Sequence, residues 1–73
     1  MREFRAYEYV DGDLRIYFRR EGQNDSQWHD AGLVRFERRG QVTVPALARS
    51  LGLDLNGVET QRLANELFNP RRH

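Results

Sequence analysis

The chain contains no cysteine, so neither a disulfide nor a cysteine-based zinc site can support its core. It also contains no lysine, which excludes a Walker lysine, a Schiff-base lysine and a lysine general base. No apolar run approaches the roughly 20 residues that span a bilayer. The N-terminus alternates charged with apolar residues, a pattern that predicts no secretion signal. We therefore expect a cytoplasmic protein without a membrane contact.

The chain also lacks an excess of positive or negative charge. Twelve arginines stand against eleven acidic residues, for a net charge of +1 at pH 7. This balance provides no global field of the kind that drives non-specific nucleic-acid binding, although arginine forks suit bidentate contacts at an interface. The length of 73 residues predicts one domain with a marginal core. The aromatic fraction of 11% favours a folded chain over a disordered one.

The N-terminal part of the chain predicts a β-hairpin. Segments 2–10 and 14–20 are rich in aromatic and branched residues, and Asp11-Gly12 between them is a turn signal. A three-residue loop of residues 10–12 sets Phe4 opposite Phe18 and Ala6 opposite Ile16, with Leu14 on the same face. A two-residue Asp11-Gly12 loop would mix the two faces, and the residues alone leave both registers open.

In the first register, the other face of the hairpin carries alternating tyrosines and arginines: Arg5, Tyr7, Tyr9, Arg15, Tyr17 and Arg19. Tyr and Arg are enriched at interface hot spots, so this face is a candidate protein-binding surface. Single-stranded nucleic acid could also stack there. The structural alternative is an exposed sheet face on which cross-strand pairs shield the backbone. We expect Trp28 to cover the core, with an anchor for a partner as the alternative.

The rest of the chain predicts further strands and a helical pair. Residues 33–37 alternate as a third strand with Val34 and Phe36 inward, and residues 42–44 suggest a short fourth strand. A first helix begins near Pro45 with Thr43 as its N-cap and ends at Gly52. A second begins at a capping box of Asn56 and Glu59, and Asn69-Pro70 ends it. Its apolar stripe is Thr60, Leu63, Ala64, Leu67 and Phe68.

These elements define an α+β domain. An antiparallel sheet of three to four strands fills the β-rich half (1–44), and two short helices follow (45–68). Residues 69–73 are expected to form a solvated tail.

The segment VTVPALARSLGLDLNGV resembles the helix-turn-helix of many bacterial regulators. The matching residues are Leu47, Ala48, Leu51, Gly52, Leu53 and Val58. The resemblance implies that Ala48 permits close helix approach, that Gly52 opens the turn, and that the leucines with Val58 fill the corner. The motif's last apolar anchor falls on Gln61. WHDAGLVRFERRG, ahead of this segment, also resembles the wing of mercury-resistance-type regulators and of their chaperone-modulator relatives.

A helix-turn-helix likeness does not establish DNA binding. The second helix carries Glu59 and Glu66, which would approach phosphates with the wrong charge. In the alternative of a direct DNA-binding repressor or excision-type protein, base edges and backbone would be contacted by Asn56, Thr60, Gln61, Arg35, Arg38 and Arg39.

Catalysis is not expected from this sequence. Ser26, His29 and Asp30 are close along the chain but share one polar loop, and Asp11 with Asp13 flanks a turn, where aspartate is favoured by turn chemistry. With two histidines, one of them His73, no metal set is expected. We predict no enzyme activity, no cofactor and no small-molecule substrate.

In size, in strand-then-helix order and in the helical pair ending ELFNPRRH, the chain resembles the small RNA-polymerase-binding transcription regulators of Xanthomonas phages. This resemblance implies a protein partner, bacterial RNA polymerase, in the cytoplasm of the host. It also implies inhibition of initiation and suppression of termination.

Overall fold

The computed structural model describes residues 1–20, 22, 27–40 and 43–73. The chain is an α+β fold, as predicted from its sequence. Four strands and two helices follow in the order β1 (Arg2–Glu8), β2 (Leu14–Arg20), β3 (His29–Val34), α1 (Val44–Ser50), α2 (Val58–Phe68) and β4 (Arg71–Arg72), with a 3₁₀ turn (Phe36–Arg38) after β3. None of the helices in the described ranges is long and apolar enough to cross a membrane.

The strands form one sheet in the order β3-β2-β1-β4. β1, β2 and β3 are antiparallel neighbours, whereas β4 lies parallel to β1. The fourth strand is thus not at residues 42–44, where Thr43 caps α1, Val44 begins it, and Val42 lies outside the described residues. The expected tail instead adds β4 to the sheet, and the backbone N–H of His73 donates to the carbonyl of Glu8 at 3.0 Å. Residues 71–73 are nevertheless exposed.

The hairpin adopts the register of the three-residue loop, with Phe4 opposite Phe18 and Ala6 opposite Ile16. Gly12 has a φ of +92°, which disfavours any residue with a side chain. The ring of Phe36 also lies over Gly12, so that a Cβ at this position would come within 2.5 Å of the ring. Phe36 therefore covers the hairpin loop and is 63% exposed, so its predicted inward position is wrong.

Asp13 binds the chain where it leaves β3, ahead of Phe36. Its Oδ1 accepts from the backbone N–H of Phe36 at 2.8 Å, and its Oδ2 lies 3.4 Å from Nη1 of Arg35. Asp11 in turn accepts from the backbone N–H of Asp13 at 3.0 Å. Both aspartates therefore hold turns in place, as the sequence predicted.

Helix α1 has the predicted ends. The hydroxyl of Thr43 accepts from the backbone N–H of Ala46 at 3.4 Å, and Pro45 lies in the first turn. At the other end Gly52 has a φ of +72° and donates to the carbonyl of Arg49, while Leu53 donates to that of Ala48. These two bonds form a Schellman motif, which satisfies carbonyls that the helix leaves without partners.

Helix α2 begins one residue later than predicted, with Gly57 as its N-cap and no side-chain cap. The capping box of Asn56 and Glu59 is wrong because Glu59 is bound elsewhere. Its Oε2 accepts from the backbone N–H of Arg2 at 2.8 Å and from Nε of the same residue at 3.1 Å. The long-range contact with β1 replaces the local cap.

The core lies between one face of the sheet and the two helices, which pack against each other. Its buried apolar residues are Phe4, Ala6, Leu14, Ile16, Val34, Ala48, Leu53 and Leu63. Val58 is 56% exposed, so its predicted place in the corner between the helices is wrong. Val58 lies about 140° around the helix from Leu63, which faces the core. Thr60, not Gln61, is the buried residue of the first turns of α2.

Candidate interface on the open face of the sheet

The sheet face opposite the helices is the candidate interface, and we call it the open face. Alternation along β1 and β2 sends one set of side chains to the core and the other set to this face. The six hairpin residues predicted as protein-binding are thereby brought together here, and Trp28, the seventh predicted residue, and His73, which was not predicted, lie beside them. The open face therefore carries Arg5, Tyr7, Tyr9, Arg15, Tyr17, Arg19, Trp28 and His73. All but the exposed His73 are half-buried.

Trp28 lies on the open face and does not cover the core, so that prediction is wrong. The chain enters β3 beside β2, with His29 opposite Phe18, which brings the indole over the outward side chains of the hairpin. Cζ of Arg5 lies 4.4 Å from the ring centroid, and Cζ of Arg19 lies 4.7 Å from it. Both contacts are within the range of cation–π attraction, which holds the two guanidinium groups and the indole in place.

Four rings line a shallow cavity of about 270 Å³ on the open face: Tyr7, Tyr17, Trp28 and His73. We call this cavity the aromatic pocket. Tyr7 meets Tyr17 edge to face with centroids 5.8 Å apart, and His73 meets Tyr7 in the same way at 6.0 Å. His73 also stacks on Tyr9 at 4.4 Å. Edge-to-face pairs are a favourable aromatic arrangement, so the rings support one another without a ligand.

His73 is not predicted by the sequence, because its position depends on β4. Parallel pairing of a two-residue strand with β1 joins residues more than sixty positions apart and has no local pattern. The available signal was the composition of the end, where two arginines and a histidine follow the helix-stopping Asn69-Pro70.

Charges on the open face are partly paired. Arg15 binds Asp30 with an N–O distance of 2.8 Å, and Arg19 lies 3.4 Å from a carboxylate oxygen of Glu3. The pKa of Arg15 is raised above its ordinary value, first by a hydrogen bond with Tyr9 and then by Asp30. Burial raises the pKa of the Tyr17 phenol. At neutral pH Tyr17 is therefore an uncharged phenol and Arg15 a charged guanidinium.

No protein-family model, curated protein or solved structure matches the chain.

The residues of the DNA-binding alternative are less well placed. Thr60 is buried and its hydroxyl donates to the carbonyl of Asp54, so it does not face a groove. Arg39 binds Glu8 at 2.6 Å and the carbonyl of Gly12 at 3.0 Å. Arg35 pairs with Asp13 at 3.4 Å. The exposed members of the set are Arg35, Arg38, Asn56 and Gln61, and Arg35 is the one of these four that pairs with a carboxylate of the described residues.

The residues weighed for catalysis are separated or occupied. Ser26 lies outside the described residues, and His29 and Asp30 lie in β3. Asp30 binds Arg15 and accepts from the backbone N–H of Gly32 at 2.8 Å. His29 packs against Phe18, with ring centroids 5.3 Å apart.

Proposed function

We propose that this chain is a non-catalytic transcription regulator that binds bacterial RNA polymerase through its open face. In this proposal it inhibits initiation and suppresses termination, as the resemblance to small phage regulators implies. The open face carries the proposal because it is a continuous surface of aromatic rings and guanidinium groups on the side of the sheet away from the helices. Tyr, Trp and Arg are the residue types that most often dominate the energetics of protein interfaces.

The contacts among the side chains of this surface support binding to a protein. The indole of Trp28 is held by two guanidinium groups, and Tyr7 and Tyr17 are held by an edge-to-face contact with each other. Side chains that are already ordered lose little conformational entropy when a partner docks. The sheet beneath them keeps the spacing of the contacts fixed.

Direct DNA binding is supported less well. A protein that binds duplex DNA needs several unpaired cations at the phosphates. Here Arg35 and Arg39 already pair with carboxylates, and Thr60 is buried. Of the six candidate residues, Arg38, Asn56 and Gln61 are left as exposed side chains without a carboxylate partner among the described residues, which is a small set for recognising a DNA groove.

The proposal is tested by capture of purified bacterial RNA polymerase on the immobilised chain, together with a transcription assay. We expect the chain to retain the enzyme, to reduce promoter-dependent initiation and to increase read-through at a terminator. Trp28→Ala should weaken capture about tenfold or more, because it removes the centre of the open face.

Phe68→Ala is the matched control, since Phe68 is a large aromatic residue that is 76% exposed at the end of α2, away from the open face. Capture of the polymerase by this variant should equal that of the unmodified chain. Failure of the unmodified chain to bind polymerase would contradict the proposal. Loss of binding in Phe68→Ala with retention in Trp28→Ala would move the interface to the helical side.

A further inference from the structure

Arg5 differs from the other arginines of the open face in having no anionic partner. Arg15 and Arg19 bind Asp30 and Glu3, whereas no carboxylate of the described residues lies within ion-pair distance of Arg5. Its guanidinium is held by the indole of Trp28 at 4.4 Å. Stacking on an aromatic face leaves the N–H fork of an arginine free to bind a carboxylate or phosphate in a bidentate manner.

The aromatic pocket lies beside this guanidinium, because Tyr17 is the cross-strand partner of Arg5 and Trp28 belongs to both features. A cavity of about 270 Å³ walled by four rings can receive one planar or apolar side chain. Aromatic walls could also attract a cation. The neighbouring Arg5, Arg15 and Arg19 would repel one, so a guest with a neutral ring and an adjacent negative charge fits better.

The number of unpaired arginines on the open face indicates which kind of partner supplies the negative charge. Two of its three hairpin arginines are already neutralised, and the whole chain carries only +1. A nucleic-acid strand presents a regular row of phosphates and needs several free cations along its path. One free guanidinium beside one aromatic pocket matches a single carboxylate next to a single aromatic side chain on a protein.

We propose that an acidic segment of the protein partner docks on the open face. One of its carboxylates binds Arg5, and a neighbouring aromatic side chain enters the aromatic pocket. This inference rests on the proposed function, which assigns a protein partner to the same face, and it adds the chemistry by which that partner is recognised.

A nuclear magnetic resonance titration of the full chain tests the inference. The chain has one tryptophan, so a single indole N–H signal reports on the pocket. The probe is a capped peptide that alternates aspartate and phenylalanine, and the matched probe has lysine in place of aspartate. We expect the acidic peptide to shift the Trp28 signal and the basic peptide to leave it unchanged. Arg5→Gln should lower the affinity for the acidic peptide about tenfold.

Two further variants separate recognition from loss of structure. Arg20→Gln removes an exposed arginine at the end of β2 whose side chain alternates to the other face, and it should bind as the unmodified chain does. Arg5→Lys keeps the positive charge without the fork, so its affinity should lie between those of Arg5→Gln and the unmodified chain. Circular dichroism confirms that each variant is folded.

Equal binding of the acidic and basic peptides would overturn the inference, as would unchanged affinity in Arg5→Gln. Tighter binding of a short oligothymidine than of the acidic peptide would assign the site to nucleic acid instead. Polymerase capture then distinguishes the two proposals. If Trp28→Ala loses capture while Arg5→Gln keeps it, the proposed function stands and the acidic segment does not. If the acidic peptide binds but polymerase does not, the partner named in the proposed function is wrong.

Discussion

Glu59 shows how one side chain of α2 completes the sheet. Its carboxylate accepts from the backbone N–H of Arg2, and Glu66 does the same for Ala6 at 3.2 Å. An unpaired strand edge invites pairing with another chain, and these two carboxylates occupy donors along the edge of β1 that β2 does not use. The pKa of Glu59 is lowered chiefly by the backbone hydrogen bond from Arg2, with a further contribution from the Arg2 side chain.

Glu59→Gln should therefore lower the free energy of unfolding by about 1 kcal/mol at neutral pH, because it replaces charge-assisted hydrogen bonds with neutral ones. A carboxylate whose pKa is lower in the folded state stabilises the fold above its ordinary value of 4.5. That contribution is lost as the pH falls through the lowered folded value. The difference between variant and unmodified chain should thus close in acid, which urea unfolding over a pH series measures.

Glu37→Gln serves as the control, since Glu37 is exposed in the 3₁₀ turn. Its effect on stability should be small at every pH. A difference for Glu59→Gln that stays constant into acid would show that ionisation of Glu59 does not stabilise the fold.

Helix α2 presents one face to the core and another to solvent. Leu63 is fully buried, whereas Val58 is 56% exposed beside Leu55. The helix-turn-helix resemblance assigned Val58 to the corner, and the structure instead fills the buried positions with Thr60 and Leu63. The rotation of the helix about its axis is set by which residues meet the sheet, and those contacts are not contained in the spacing of a motif.

Leu63→Ala should destabilise the fold by about 2–5 kcal/mol, because it removes a fully buried side chain and leaves a cavity. A chain of this length has a small margin of stability, so the variant should unfold at a much lower temperature. Val58→Ala should change the free energy of unfolding by less than about 0.5 kcal/mol. Thermal and urea unfolding measure both changes. Equal losses of unfolding free energy in the two variants would show that Val58 is packed in the corner between the helices.

At the scale of the whole molecule, the near balance of positive and negative charge favours a protein partner over DNA. A net charge of +1 gives little long-range attraction for DNA, and several arginines are neutralised within the fold. Affinity for a protein through a preordered aromatic surface depends mainly on contact and less on counterion release.

Polymerase capture should accordingly change less than about tenfold when salt is raised from about 50 to about 200 mM, whereas a protein making several phosphate contacts loses about 10³-fold or more over that range. Duplex DNA of mixed sequence should not be retained by the chain at either salt concentration. Retention of duplex that falls steeply with salt would favour the repressor alternative.

Much of the fold follows from local signals in the sequence. Alternation and Asp11-Gly12 predict the hairpin but leave its register open between two loop lengths, and Thr43, Gly52 and Pro70 mark helix ends by the chemistry of neighbouring backbone groups. Alternation also separates the Arg and Tyr residues from the apolar residues within each strand, and the register of the three-residue loop joins the two sets on the open face.

Only the tertiary structure placed Trp28, His73, Phe36 and Glu59. The side chain of Trp28 takes the open face because β3 begins with His29 opposite Phe18, which brings the preceding indole to Arg19. His73 reaches the aromatic pocket through β4, and Glu59 leaves its local cap for Arg2. Each of these side chains contacts residues that are distant in the chain, and local sequence patterns do not contain those contacts. A sequence pattern therefore determined most of the elements and the alternation within each strand, and strand pairing decided which side chains meet at the site.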